Sequence, residues 1–163
     1  MTTFQPADKL DAQEIAIDRE DLIIQDAISI LEKRMFKRGP ALECPADVQT
    51  YLRLKLGGEH REVLACVFLD SSLCVIAYEP LFYGTIDSTS VHPRVLLQRA
   101  LEHNSAALIV AHNHPSGRVA PSTADCALTS LLRDLLAKVD IRLLDHFIVG
   151  EGKPYSFASA GLI

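Results

Sequence analysis

The chain has 163 residues, 48% hydrophobic and 23% charged, enough for one ordinary globular domain with a full core. A net charge of −5 with no basic run lacks the electrostatic footprint of a nucleic-acid binder, and no stretch approaches the roughly 18 apolar residues of a membrane helix. Cys44, Cys66, Cys74 and Cys126 are scattered without Cys-x-x-Cys spacing, which excludes a zinc knuckle or redox motif and implies free, reduced thiols in a soluble cytoplasmic protein.

Residues 1–17 are mixed and polar and set no element. Behind Asp18 as N-cap, residues 19–38 carry Leu22, Ile23, Ala27, Ile30, Leu31 and Met35 at helical spacing, a broad apolar stripe on a charged helix. Core packing is the simplest use of that stripe, and a homodimer packed through this N-terminal helix is the other. Gly39-Pro40 ends the helix. Pro45 then opens a second one to Leu56, closed by Gly57-Gly58. Residues 62–69 and 73–78 read as a β-hairpin turning at Asp70-Ser71-Ser72, with Glu79 at the end of its second strand. Pro80 and Gly84 bend the chain, residues 86–91 form a short strand, and Pro93 starts a helix through residue 101 with Asn104 as its C-terminal cap.

Residues 106–111 read Ala-Ala-Leu-Ile-Val-Ala, a run of the kind that forms a strand buried on both faces. Pro115, Gly117 and Pro121 make the next segment a loop, and Ser122 caps a helix over residues 123–139. Residues 141–149 form another buried strand, and residues 155–158 a last short one after a turn at 150–154. Strands and helices thus alternate, which predicts an α/β fold with a sheet covered by helices.

The chemistry gathers at the end of the 106–111 run. His112 and His114 stand two apart, and in extended chain residues i and i+2 share a face about 7 Å apart along the strand. Two imidazoles can converge there on one ion. Asp125, on the first turn of the following helix, supplies a third ligand and leaves a fourth tetrahedral position for water, as catalytic zinc requires. Ser122 and Asp125 are equally an ordinary capping pair, the serine bonding a first-turn amide and the aspartate suiting the helix dipole. Asn113 and Ser116 serve either as donors that orient ligands or as the residues of a tight turn. His60, His92 and His103 fall at element ends and are expected at the surface. His146, within a strand beside Asp145, reads as a hydrogen-bonded structural histidine, because strand neighbours point to opposite faces.

The pattern His112-x-His114, seven residues, then Ser122-x-x-Asp125 resembles the JAMM signature of MPN-type metallohydrolases. The stretches His112-Asn113-His114-Pro115-Ser116-Gly117, Phe82-x-Gly84-Thr85, Val91-His92-Pro93-Arg94 and Leu143-Leu144-Asp145-His146-x-Ile148-Val149-Gly150 resemble the RadC branch. This likeness covers residues 42–163 and leaves 1–41 as an N-terminal tail and helical extension. It implies a single MPN-like (cytidine-deaminase-like) domain, a mixed sheet flanked by helices. It also implies a zinc-dependent hydrolase that cleaves an amide, most simply a peptide or isopeptide bond in a peptide or protein substrate. Glu79 matches the upstream glutamate of the JAMM pattern and becomes the general base, although a strand-end glutamate is otherwise usually just solvated. The Ser122 hydroxyl gains a second role, steadying the oxyanion formed when a carbonyl is attacked.

RadC-like proteins also carry a DNA-repair label, so the alternative is a nucleic-acid-associated accessory protein without protease activity. The acidic balance speaks against direct DNA binding, and residues 1–40 hold no Gly-containing helix-hairpin-helix, so a short form of the family is expected. A metal-free scaffold would lack the ligand set. A zinc deaminase would need the absent His-x-Glu and Pro-Cys-x-x-Cys pair.

Overall fold

Two strands anchor the fold because neither has a polar face to give to water. β1 (Val63–Leu69) and β3 (Ala107–Asn113) are buried along their whole lengths, so both of their faces must be covered. The structure, a computed structural model, describes residues 19–35, 45–84 and 91–163. Within them β1 and β3 lie at the middle of a five-stranded sheet of order β2-β1-β3-β4-β5, with β2 (Val75–Tyr83), β4 (Arg142–Val149) and β5 (Tyr155–Ser156). Only β3 and β4 run parallel, joined across one face by a helix; the remaining pairs are antiparallel. The result is the expected α/β domain with a mixed sheet and four flanking helices.

Alternation along β1 and β3 divides the core. Val63, Ala65, Val67, Ala107, Ile109 and Ala111 face α1 (Arg19–Met35) and α2 (Pro45–Leu56). Leu64, Cys66, Phe68, Leu108 and Val110 face α3 (Pro93–Glu102) and α4 (Thr123–Ala137), which bury Leu96, Ala100, Leu132 and Leu136 against them. At roughly 1.5–3 kcal/mol per large apolar side chain, this two-sided burial is the main stabilising term. Asn104 ends α3 in the left-handed region at φ 50°, with the Ser105 amide donating back to the Ala100 carbonyl at 3.0 Å, a Schellman closure. Asp70 closes the β1–β2 hairpin by accepting from the Ser72 and Cys74 amides at 2.8 and 2.9 Å.

Two sequence expectations are corrected. Pro80 does not end the second strand: β2 runs on to Tyr83, and Glu79 lies inside it opposite Cys66. Proline is tolerated because β2 is an edge strand, and the pairing shifts beside it, where Leu64 faces Phe82 and Ala65 faces Pro80. The α1 stripe is only partly core. Leu31 and its neighbour Ile28 are buried with Tyr51 and Val48 of α2, whereas Leu22, Ile23 and Ile30 are 51–60% exposed. The short strand expected at 86–91 lies outside the described residues except for Val91, which is in no strand; the ends expected at 18 and 36–40 lie outside them, as does Cys44. Cys66 and Cys126 are free thiols. Among the described residues no helix is long and apolar enough to cross a membrane.

Candidate metal centre

β3 carries its buried register to the tip, so His112, two residues beyond Val110, projects on the α3–α4 face of the sheet. The chain then turns back at once: the His114 amide donates to the Val149 carbonyl and the Gly117 amide to the His114 carbonyl, both at 2.9 Å. Gly117 takes φ +77°, and a Cβ on Gly150 would stand 2.5 Å from the Gly117 carbonyl oxygen. A side chain at Gly150 would therefore lift the loop off the β4–β5 turn. Beyond Gly117 the loop runs on to Ser122, which caps α4. Its Oγ accepts from the Asp125 amide at 3.1 Å, and Asp125 Oδ2 accepts from the Ser122 amide at 2.7 Å and from its hydroxyl at 2.6 Å. This capping box aims the other carboxylate oxygen, Oδ1, at the strand tip.

There His112, His114 and Asp125 meet, each offering one ligand atom within 4.8 Å of the others. His112 Nε2 lies 2.9 Å from His114 Nε2 and 3.2 Å from Asp125 Oδ1, and His114 Nε2 is 3.7 Å from Asp125 Oδ2. His114 Nδ1 stands 2.8 Å from the Arg118 carbonyl oxygen. That oxygen can only accept, so Nδ1 carries the proton and the Nε2 lone pair faces the cluster. Burial would raise the Asp125 carboxyl, but the two donors of Ser122 oppose it and the group is held well below the usual carboxylate range. An ionised carboxylate and imidazole lone pairs thus converge at a half-buried spot, the donor set of a cation site.

The other expected residues are placed elsewhere. Glu79 does not touch the three: Arg99 of α3 grips both its oxygens, Nε reaching Oε2 at 2.7 Å and an Nη hydrogen-bonding Oε1. His103 Nε2 adds a contact at 2.7 Å. The Arg99 fork brings the Glu79 carboxyl down to about 2. His103, expected at the surface, is half-buried against Phe68, with ring centroids 4.6 Å apart. Asn113 points to the opposite face from His112. It accepts from the Val63 amide at 2.8 Å and donates to the Glu59 and Arg61 carbonyls, tying the α2–β1 loop to the strand tip. Losing it would orphan buried backbone groups at about 1–3 kcal/mol. Ser116 is exposed in the loop, and His60 and His92 are exposed as expected.

His146 is structural and more. It is fully buried, stacked on Phe157 at 4.8 Å, with Nε2 2.8 Å from His112 Nδ1 and Nδ1 2.6 Å from Thr129 Oγ1. Burial pushes its pKa down to about 3, so the ring is neutral at ordinary pH. Asp145 points away and pins β5 by accepting from Ser156 Oγ at 2.6 Å and the Ala158 amide at 3.0 Å. Sequence reasoning missed the link from His146 to His112. Its one signal was strand parity, which sets His146 and Ile148 on one face of β4 and Phe147 and Val149 on the other.

Fold and donor set together define an α/β domain with a His-His-Asp metal-type centre at the tip of its central strand. The family described as the RadC-like JAB domain matches residues 42–162. A UPF0758 protein of Azotobacter vinelandii (strain DJ) is 55% identical over 125 residues, 77% of this chain and 56% of that protein. One from Halorhodospira halophila is 50% identical over 143 residues, 86% and 64% of the two chains. Another, from Thioalkalivibrio sulfidiphilus, is 56% identical over 126 residues, 77% and 56%. The chain belongs to the RadC-like JAB domain family. It spans 56–64% of the length of these relatives.

Proposed function

We propose that the chain is a zinc-dependent hydrolase of amide bonds, a peptidase or isopeptidase acting on a peptide or protein substrate. The observation that carries this is the spacing of the three ligand atoms. Donors at about 2.0–2.1 Å from zinc on the corners of a tetrahedron stand about 3.3 Å apart; His112 Nε2 lies 2.9 Å from His114 Nε2 and 3.2 Å from Asp125 Oδ1, and one ligand atom from each of the three residues lies within 4.8 Å of the others. Two imidazoles and one carboxylate leave a corner open, as catalytic zinc needs, and suit zinc better than the all-oxygen sets of magnesium or calcium. Zinc held by His112, His114 and Asp125 would polarise a carbonyl and acidify a water.

The chain's own residues would do the rest. Ser122 stands at the N-terminus of α4, where its hydroxyl, turned from Asp125, would donate to the oxyanion of the attacked carbonyl beside the positive end of the helix. Glu79 would take the proton of the attacking water and hand it to the leaving amine. In support, Glu79 pairs with Cys66 and Cys66 with Val110, which places Glu79 on the same sheet face as His112. It stands two strand spacings from β3, about 9.5 Å. While gripped by Arg99 its carboxylate is too weak a base, so catalysis requires it to leave that fork and regain its ordinary basicity. Peptide and isopeptide libraries offered to zinc-loaded and chelator-treated protein test the reading. Cleavage restored by zinc is expected; stoichiometric zinc with no amide cleaved would overturn the hydrolase.

A further inference from the structure

We propose that His146 and Thr129 are positioning residues that fix the tautomer of His112, so that its Nε2 lone pair is presented to the metal. The direction of the hydrogen-bond chain follows from its far end. The Asp125 main-chain carbonyl can only accept, and Thr129 Oγ1 lies 2.6 Å from it, so the single hydroxyl proton of Thr129 is spent there. Thr129 Oγ1 can then only accept from His146, 2.6 Å away, which puts the His146 proton on Nδ1. The His146 ring is fully buried among His112, Thr129 and Phe157 with no carboxylate on either nitrogen, so it is held neutral with one N–H; His146 Nε2 is then an acceptor, and His112 Nδ1, 2.8 Å away, must be the donor. Nε2 of His112 is left as the ligand atom. No water competes, because His112, Thr129 and His146 are all at most 2% exposed.

The chain leaves one metal-site residue and returns to another. It begins at the His112 ring and ends on the backbone of Asp125, whose carboxylate faces that same ring at 3.2 Å. His114 reaches the same tautomer by a shorter route, through the Arg118 carbonyl at 2.8 Å. Both histidines therefore owe their metal-facing lone pair to a main-chain carbonyl, one directly and one through two side chains. The Phe157 ring, 15° from coplanar with His146, holds the relay ring flat between sheet and helix. This inference rests on the metal-centre reading and extends it to how the site is held ready.

Long-range proton–nitrogen NMR of the metal-free protein is the direct test: His146 should show the Nδ1–H tautomer, and an Nε2–H tautomer would overturn the proposal. Zinc competition against a chromophoric chelator gives a second readout. His146→Leu and Thr129→Val should each weaken zinc binding about 10- to 100-fold, as loss of a partner behind a ligand does. Thr129→Ser, which keeps the hydroxyl, should restore near-wild-type affinity. Thr129→Val nearly preserves shape and carries the test if His146→Leu does not fold. Unchanged zinc affinity in a folded Thr129→Val removes the proposal while leaving the metal centre intact. A wild type that takes up no zinc removes both.

Discussion

Two carboxylate–histidine groups share one face of this sheet and are built to opposite ends. At β2 and α3, Glu79 meets Arg99 and His103, and every carboxylate oxygen has a cationic or N–H partner. At the tip of β3, Asp125 meets His112 and His114, and among the described residues no lysine or arginine pairs with it. The residue types are nearly the same. What differs is the count of protons against lone pairs: the first group is a closed ion-pair network, whereas the second has an excess of acceptors that a cation would satisfy. A depressed carboxyl pKa occurs in both groups, so that shift alone does not separate a site from an ion pair.

The sharpest way to break this contrast is metal analysis. Wild type should hold close to one zinc per chain, and His112→Ala, His114→Ala and Asp125→Ala should each lose nearly all of it. Arg99→Met, in the closed group, should keep it. Full zinc in any two of the three ligand variants would erase the distinction between the groups.

A next-largest effect comes from the residue that would have to pass between them. Glu79→Gln keeps size and hydrogen-bonding reach while removing basicity. Zinc content should stay at the wild-type level while turnover of a cleaved peptide falls about 100- to 10,000-fold. Full activity would return Glu79 to the closed group for good, and loss of zinc would make it a ligand.

How these groups were legible from the chain differs in a physical way. His112, His114, Ser122 and Asp125 are close in sequence, and strand parity plus a helix cap bring them together with no knowledge of tertiary structure. The helices at 45–56 and 93–102 were equally plain, because Pro45, Pro93 and Asn104 are local signals. What stayed hidden depends on neighbours. Pro80 looked like a strand end because nothing local says that β2 would lie at the sheet's edge, where a missing N–H costs no ladder bond. The His103–Glu79 contact needs α3 laid over β2. The His146–His112 contact needs the parallel register of β3 and β4, which sets Val110 opposite His146. Periodicity located a stripe on α1 but not how much of it α2 would cover.

The closed group makes its own, smaller prediction in pH. The folded-state carboxyl of Glu79 is lowered from 4.5 to about 2, so its ionised form is favoured by the fold. That contribution is fully present above the unfolded value and is lost as pH falls from about 4.5 through 2. Arg99→Met should return Glu79 toward its ordinary value. Melting temperatures of wild type and variant should then differ most near neutrality and converge between pH 4.5 and 2. A gap that persists unchanged to pH 2 would assign the effect to lost packing of the arginine stem.

The smallest expected effect tests whether Ser122 belongs to the fold, the site or both. In the capping box its Oγ accepts from the Asp125 amide and its hydroxyl donates to Asp125 Oδ2. Ser122→Ala removes both while leaving the Ser122 amide bond to Oδ2, so the metal-free protein should lose about 1 kcal/mol of stability, the ordinary value of an N-cap. Ser122→Thr keeps the hydroxyl and should recover most of it. Denaturant midpoints measured without metal isolate this term, because the site then contributes no ligand energy of its own. Repeating the series with zinc adds the second half of the comparison. If Ser122 only caps α4, the deficit of Ser122→Ala is the same with and without zinc. If its hydroxyl also steers Asp125 Oδ1 toward the ion, zinc stabilises wild type more than the variant and the deficit widens, since losing one of the two bonds that hold Oδ2 lets the carboxylate turn more easily away from the histidines.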